Sequence, residues 1–116
     1  MRTILKALLS IFFFIAIAVH VYYLYIETDK QLLWHTLYFI TYGVCWWLLF
    51  SKIKNSLLIY VIMMLFPFIT HFYYGYQHLI KSEINGMFWV CLLVCIFLPV
   101  GIWVVKENIN LQSEGV

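Results

Sequence analysis

Four stretches of apolar residues, 5–25, 32–50, 57–77 and 87–105, follow one another with only short polar linkers between them. Each approaches the roughly 20 residues that an α-helix needs to cross the hydrocarbon core of a bilayer. Inside lipid the backbone must satisfy its own hydrogen bonds, so spanning segments are helices or closed barrels. No alternating ten-residue barrel pattern runs through the chain. Linkers this short join antiparallel neighbours. The expected architecture is an all-α integral membrane protein, a four-helix up-and-down transmembrane bundle built from two tandem helical hairpins. It forms a single domain, 1–106, followed by a short polar cytoplasmic tail, 107–116.

Composition excludes the soluble alternative. Of 116 residues, 66% are hydrophobic and 10% charged, with a mean hydropathy of +0.96, whereas about a quarter of a soluble domain is charged. A net charge of +2 is too small to argue for nucleic acid. The expected partner is the lipid bilayer, with a protein partner or a second copy of the chain beside it. Arg2 and Lys6 precede an apolar run containing Ala16-Ile17-Ala18, the outline of a signal peptide. That run continues to Ile26, long enough to span, and is expected to persist as the first helix.

Basic residues set the orientation. Arg2, Lys6, Lys52, Lys54 and Lys106 share one side of the expected bundle, against Lys30 and Lys81 on the other. The positive-inside rule then places the N- and C-termini in the cytoplasm. Pro67 and Pro99 fall inside the third and fourth apolar runs, where each removes a backbone hydrogen bond, freeing the carbonyls of Met63 and Cys95, and a kink is expected.

One motif occurs twice at the outer end. His20, Tyr22, Tyr23 and Tyr25 close the first run, and His71, Tyr73, Tyr74 and Tyr76 close the third, both as His-x-Tyr-Tyr-x-Tyr. Trp34 and Trp89 add a looser echo near the starts of the runs that follow. On a helix His20 and Tyr23 are one turn apart, as are His71 and Tyr74, and Glu27 and His78 take the positions seven residues on. A rise of about 1.5 Å per residue separates those last positions from the histidines by roughly 10 Å, too far to share one ion.

Any metal site is therefore assembled between helices. The expected ligands are His20, His35 and His71 in an inner layer and Glu27 and His78 in an outer one, with Asp29 or Glu83 beside them. Cys91 lies at the inner level on the fourth helix. Imidazole suits zinc, copper and iron alike. His20 and His71 could alternatively be axial ligands of a haem, with Gly43, Gly75 or Gly101 leaving room for the macrocycle, and Tyr23 and Tyr74 orienting the rings. The plainer reading is an interfacial belt of Tyr and Trp with solvated histidines, in which Trp34 and Tyr38 take part.

The function expected is that of a small multi-pass membrane protein with an outward-facing His/Tyr pocket binding a metal ion or haem. The alternatives are a non-catalytic accessory or structural subunit of a membrane complex and, last, a small-solute transporter. Inner-half polarity is confined to Ser10, Thr41 and Tyr60. Catalysis is disfavoured because no nucleophile, base and orienting acid fall together. Without Cys-x-x-Cys, thiol oxidoreduction is disfavoured too, and Cys45, Cys91 and Cys95 are expected as small buried apolar residues.

In size and topology the chain resembles the small multidrug resistance transporters. That family carries a membrane-embedded carboxylate in its first helix. No acidic residue lies between Met1 and Ile26 here, which argues against proton-coupled antiport of cations.

Overall fold

The chain forms four helices in sequence, α1 (Arg2–Ile26), α2 (Leu32–Leu48), α3 (Ser56–Ile80) and α4 (Gly86–Glu114). This computed structural model describes the backbone of 2–26, 32–51 and 53–114 and the side chains of 3–26, 32–51 and 53–107. Successive helices pack against one another, and α1 also touches α4, closing the bundle.

Asparagine marks both described helix starts in the second half. Asn55 adopts a left-handed conformation (φ 69°) ahead of α3, which its short polar side chain tolerates. Asn85 caps α4, its Oδ1 accepting the Phe88 N–H at 3.2 Å, which satisfies one of the donors orphaned at a helix start. At the end of α3, Ser82 turns the chain with φ 56°, and the Glu83 N–H donates to the His78 carbonyl at 2.8 Å.

By length and composition α1, α3 and α4 can each cross a membrane. Helix α2 ends two residues short of the expected run 32–50. It has 17 residues, about 25 Å of helix against a hydrocarbon core of about 30 Å. After Leu48 it gives way to a tighter turn, in which the Leu49 and Phe50 N–H groups donate to the Trp46 and Trp47 carbonyls, 3.1 Å each. In α4 the difference is the opposite one. Nothing between Lys106 and Glu114 breaks a helix, and the backbone stays helical through most of the stretch expected as a tail.

The half of the bundle that holds the start of α1 and the end of α4, inner in the expected orientation, has an apolar core of Leu9, Phe13, Leu48, Leu49, Leu98, Val104 and Val105, all fully buried. Two polar contacts tie it together. The Trp46 indole N–H donates to Ser10 Oγ at 2.7 Å, joining α2 to α1, and the Tyr60 hydroxyl donates to the Leu98 carbonyl at 2.8 Å, joining α3 to α4. Lys6 Nζ lies 5.3 Å from the centre of the Phe50 ring, a cation–π contact that sets the start of α1 beside the end of α2.

Large apolar residues also cover the outside. Ile4, Leu8, Ile11, Phe14 and Ile15 on α1, and Leu58, Ile62, Leu65 and Ile69 on α3, are all exposed. Such a continuous apolar surface has no place in water and fits acyl chains. It also hides the rotation of each helix from the sequence, because the lipid face and the core face are built from the same residue types.

Candidate functional site

Helix α2 supplies the centre of the other half of the bundle, the one that holds the end of α1 and the start of α2 and that is outer in the orientation expected from the basic residues. Its buried residues are His35, Tyr38, Thr41, Tyr42, Cys45 and Leu48, spaced three and four apart, which places them on one stripe. The hairpin with α1 brings His20 against the top of that stripe. The His20 and His35 Nδ1 atoms lie 3.0 Å apart, so one ring donates its Nδ1–H to the lone pair of the other. The His20 ring stacks on Tyr38 and Tyr42, with centroids 4.6 and 5.6 Å away, and Tyr23 stacks on His35 at 5.0 Å.

Helix α3 completes the cluster from the other side. The Tyr38 ring meets His71 edge-on at 5.2 Å, and its hydroxyl donates to Thr70 Oγ1. Thr70 and His71 in turn hydrogen-bond to their own helix around Pro67. Thr70 Oγ1 donates to the Phe66 carbonyl at 2.9 Å, and His71 Nδ1 donates to the Pro67 carbonyl at 2.7 Å. Three imidazoles from three helices thus gather around two phenol rings, at one level of the bundle.

The Tyr42 hydroxyl is the unusual member. It is buried and, among the described residues, has no hydrogen-bond partner. An orphaned buried hydroxyl costs about 1–3 kcal/mol.

The expected ligands distribute unevenly. His20, His35 and His71 do converge. His78 stands apart at the outer end, its Nδ1 3.4 Å from Glu83 Oε2, close enough for an ion pair when the ring is protonated but without an aligned hydrogen bond. Glu27 and Asp29 lie outside the described residues. Cys91 is buried against Gly75, where an added Cβ would approach the Cys91 Cβ to 3.1 Å. Among the described residues no three His, Cys, Asp or Glu side chains stand where they could share a metal ion. His20 and His35 turn their Nδ1 atoms toward each other and His71 turns Nδ1 to its own helix.

Tyr38 and Tyr42 stand between His20 and His71, each in ring contact with both. Of the three glycines expected to leave room, only Gly43 has open space beside it, a Cβ there meeting nothing within 4 Å. Gly75 is the close approach to Cys91, and the space beside Gly101 is taken by Tyr60.

The repeated motif does not build two equivalent sites. Tyr23 stacks within the cluster, whereas Tyr74 is exposed beside Tyr73. The reason is in the partner helix: Trp34 is followed by His35, but Trp89 is followed by Val90. The second hairpin therefore has no imidazole to pair with His71. The residues missed from the sequence are Tyr38, Tyr42 and Thr70. The signal for the first two was the stripe His35, Tyr38, Tyr42, Cys45 in a helix without charge, which belongs inside a bundle rather than in an interfacial belt.

No family model, curated protein or solved structure matches this chain.

Proposed function

We propose that this chain is a small multi-pass membrane binding protein, with both termini cytoplasmic and a His/Tyr pocket in the outer half of its bundle that holds a small ligand by hydrogen bonds. The observation that carries this reading is the His20–His35 contact, packed inside the bundle among Tyr23, Tyr38 and Tyr42. Polar groups within a membrane are costly, and ionisable ones there mark functional positions by default. A belt accounts for the exposed Tyr22, Tyr25, Tyr73, Tyr74 and Tyr76 but not for the buried His35, Tyr38 and Tyr42. Transport finds less support, because the three inner polar side chains are already engaged. Ser10 bonds to Trp46, Thr41 to the Leu37 carbonyl and Tyr60 to the Leu98 carbonyl.

Two experiments test the proposal. Native mass spectrometry of the protein extracted in mild detergent should reveal one small-molecule adduct per chain, lost in the His20→Phe/His35→Phe double variant. Elemental analysis and the absorption spectrum run alongside. A Soret band or stoichiometric metal would replace the hydrogen-bonded ligand with a cofactor. No adduct in either protein would leave the chain as an accessory subunit. For orientation, alkaline phosphatase, active only outside the cytoplasm, should be inactive when fused after Val116 and active when inserted between Ser82 and Asn85. The reverse pattern would invert the topology.

A further inference from the structure

Helices α3 and α4 leave a groove of about 290 Å³ on the outer surface of the bundle, lined by His71, Gly75, Cys91 and Cys95 together with apolar and aromatic side chains. At Gly75 the two helices are close, since an added Cβ would lie 3.1 Å from the Cys91 Cβ. Phe72, Tyr76 and Phe88 put aromatic rings around it. The exposed Phe72, Tyr76 and Leu79 mark it as open to the outside of the bundle, which in a membrane means open to lipid.

Among the polar groups that line the groove, His71 brings an acceptor that hydrocarbon cannot satisfy. His71 Nδ1 lies 2.7 Å from the Pro67 carbonyl oxygen. A carbonyl only accepts, so Nδ1 carries the proton, and in the neutral ring Nε2 keeps its lone pair. Among the described residues no donor reaches that nitrogen. Water is scarce at this depth, and an unsatisfied acceptor in hydrocarbon is costly.

We infer that the groove binds a lipid-soluble aromatic alcohol, its ring between Phe72, Tyr76 and Phe88 and its hydroxyl donating to His71 Nε2. Aromatic pairs contribute about 0.5–1.5 kcal/mol beyond area burial, which favours a ring over an acyl chain. The free lone pair favours a hydroxyl over an ether or a hydrocarbon. The size is at the lower end for small-molecule pockets, enough for one ring whose tail stays in the bilayer. This inference deepens the pocket reading through His71, the histidine that the cluster and the groove share.

The test is a binding titration in phosphatidylcholine nanodiscs with para-nonylphenol and, as a control lacking the donor, its methyl ether. The wild-type protein is expected to bind the phenol saturably and roughly tenfold more tightly than the ether. His71→Phe should reduce the phenol to the affinity of the ether, and Leu92→Trp, which fills the groove from an exposed position, should weaken both. Equal binding of the two probes by the wild-type protein would make the groove a plain hydrocarbon slot, and no saturable binding of either would remove it. Leu58→Ala, an exposed position on α3 outside both the cluster and the groove, should bind the phenol within about twofold of wild type, as distant sites without shared partners behave independently. The adduct of the His20→Phe/His35→Phe variant is read separately. If that variant loses a co-purifying adduct while neither probe binds the wild-type protein, the groove falls and the pocket stands. Phenol binding without any adduct gives the converse.

Discussion

Gly101→Ala is expected to destabilise the bundle by about 3 kcal/mol, a large effect for one methyl group. A Cβ at Gly101 would fall on the Tyr60 hydroxyl and crowd its ring. Tyr60 is fully buried and cannot retreat without breaking its bond to the Leu98 carbonyl. Overpacking of this kind costs about 1–3 kcal/mol, and stranding the hydroxyl costs about as much again. Tyr60→Phe alone should cost about 1 kcal/mol, since the Leu98 carbonyl keeps its own helix. The double variant should cost less than the sum, by at least about 0.5 kcal/mol, because the methyl then displaces only a ring. Unfolding in mixed micelles with increasing dodecyl sulfate measures all three. Strict additivity would mean that Gly101 and Tyr60 do not touch.

Tyr42→Phe should do the reverse and stabilise the fold by about 1 kcal/mol. The ring is almost wholly buried and packs against Phe12, Phe13 and His20, contacts that phenylalanine preserves. Only the unpartnered hydroxyl is removed, and deleting an orphaned buried polar group relieves about 1–3 kcal/mol of desolvation. A fold that retains such a group is expected to use it. The same variant should therefore hold the pocket's ligand less tightly while unfolding at a higher temperature. A lower melting temperature would show that the hydroxyl has a partner and that the cluster is packed otherwise than described.

The sequence made the helices and the shared level of the imidazoles legible for a simple reason. Apolar run length and a fixed rise per residue convert position into depth, so His20, His35 and His71 could be set at one height by counting. Rotation about each helix axis is different. It is read from the contrast between polar and apolar faces, and α1 exposes Ile11 and Phe14 to the outside while burying Phe13. With no such contrast, the pairing of His20 with His35 and the inward turn of Tyr38 and Tyr42 depend on packing that only coordinates provide. The contacts of the expected ligands show the same limit. Depth alone could not reveal that His71 binds its own helix at Pro67, or that two tyrosines stand between His20 and His71. The asymmetry between the motif copies was legible, in Val90 standing where His35 has its counterpart.

Three imidazoles meet inside one half of the bundle, held by the His20–His35 contact and by the bond from His71 to the Pro67 carbonyl. Nitrogen-15 magnetic resonance of histidine-labelled protein in bilayers reads this directly. The expected spectrum shows a nitrogen–nitrogen coupling across the Nδ1–H···Nδ1 bond between His20 and His35, and a His71 ring protonated at Nδ1 with Nε2 bare. Three uncoupled rings exchanging their protons freely with bulk water would contradict it.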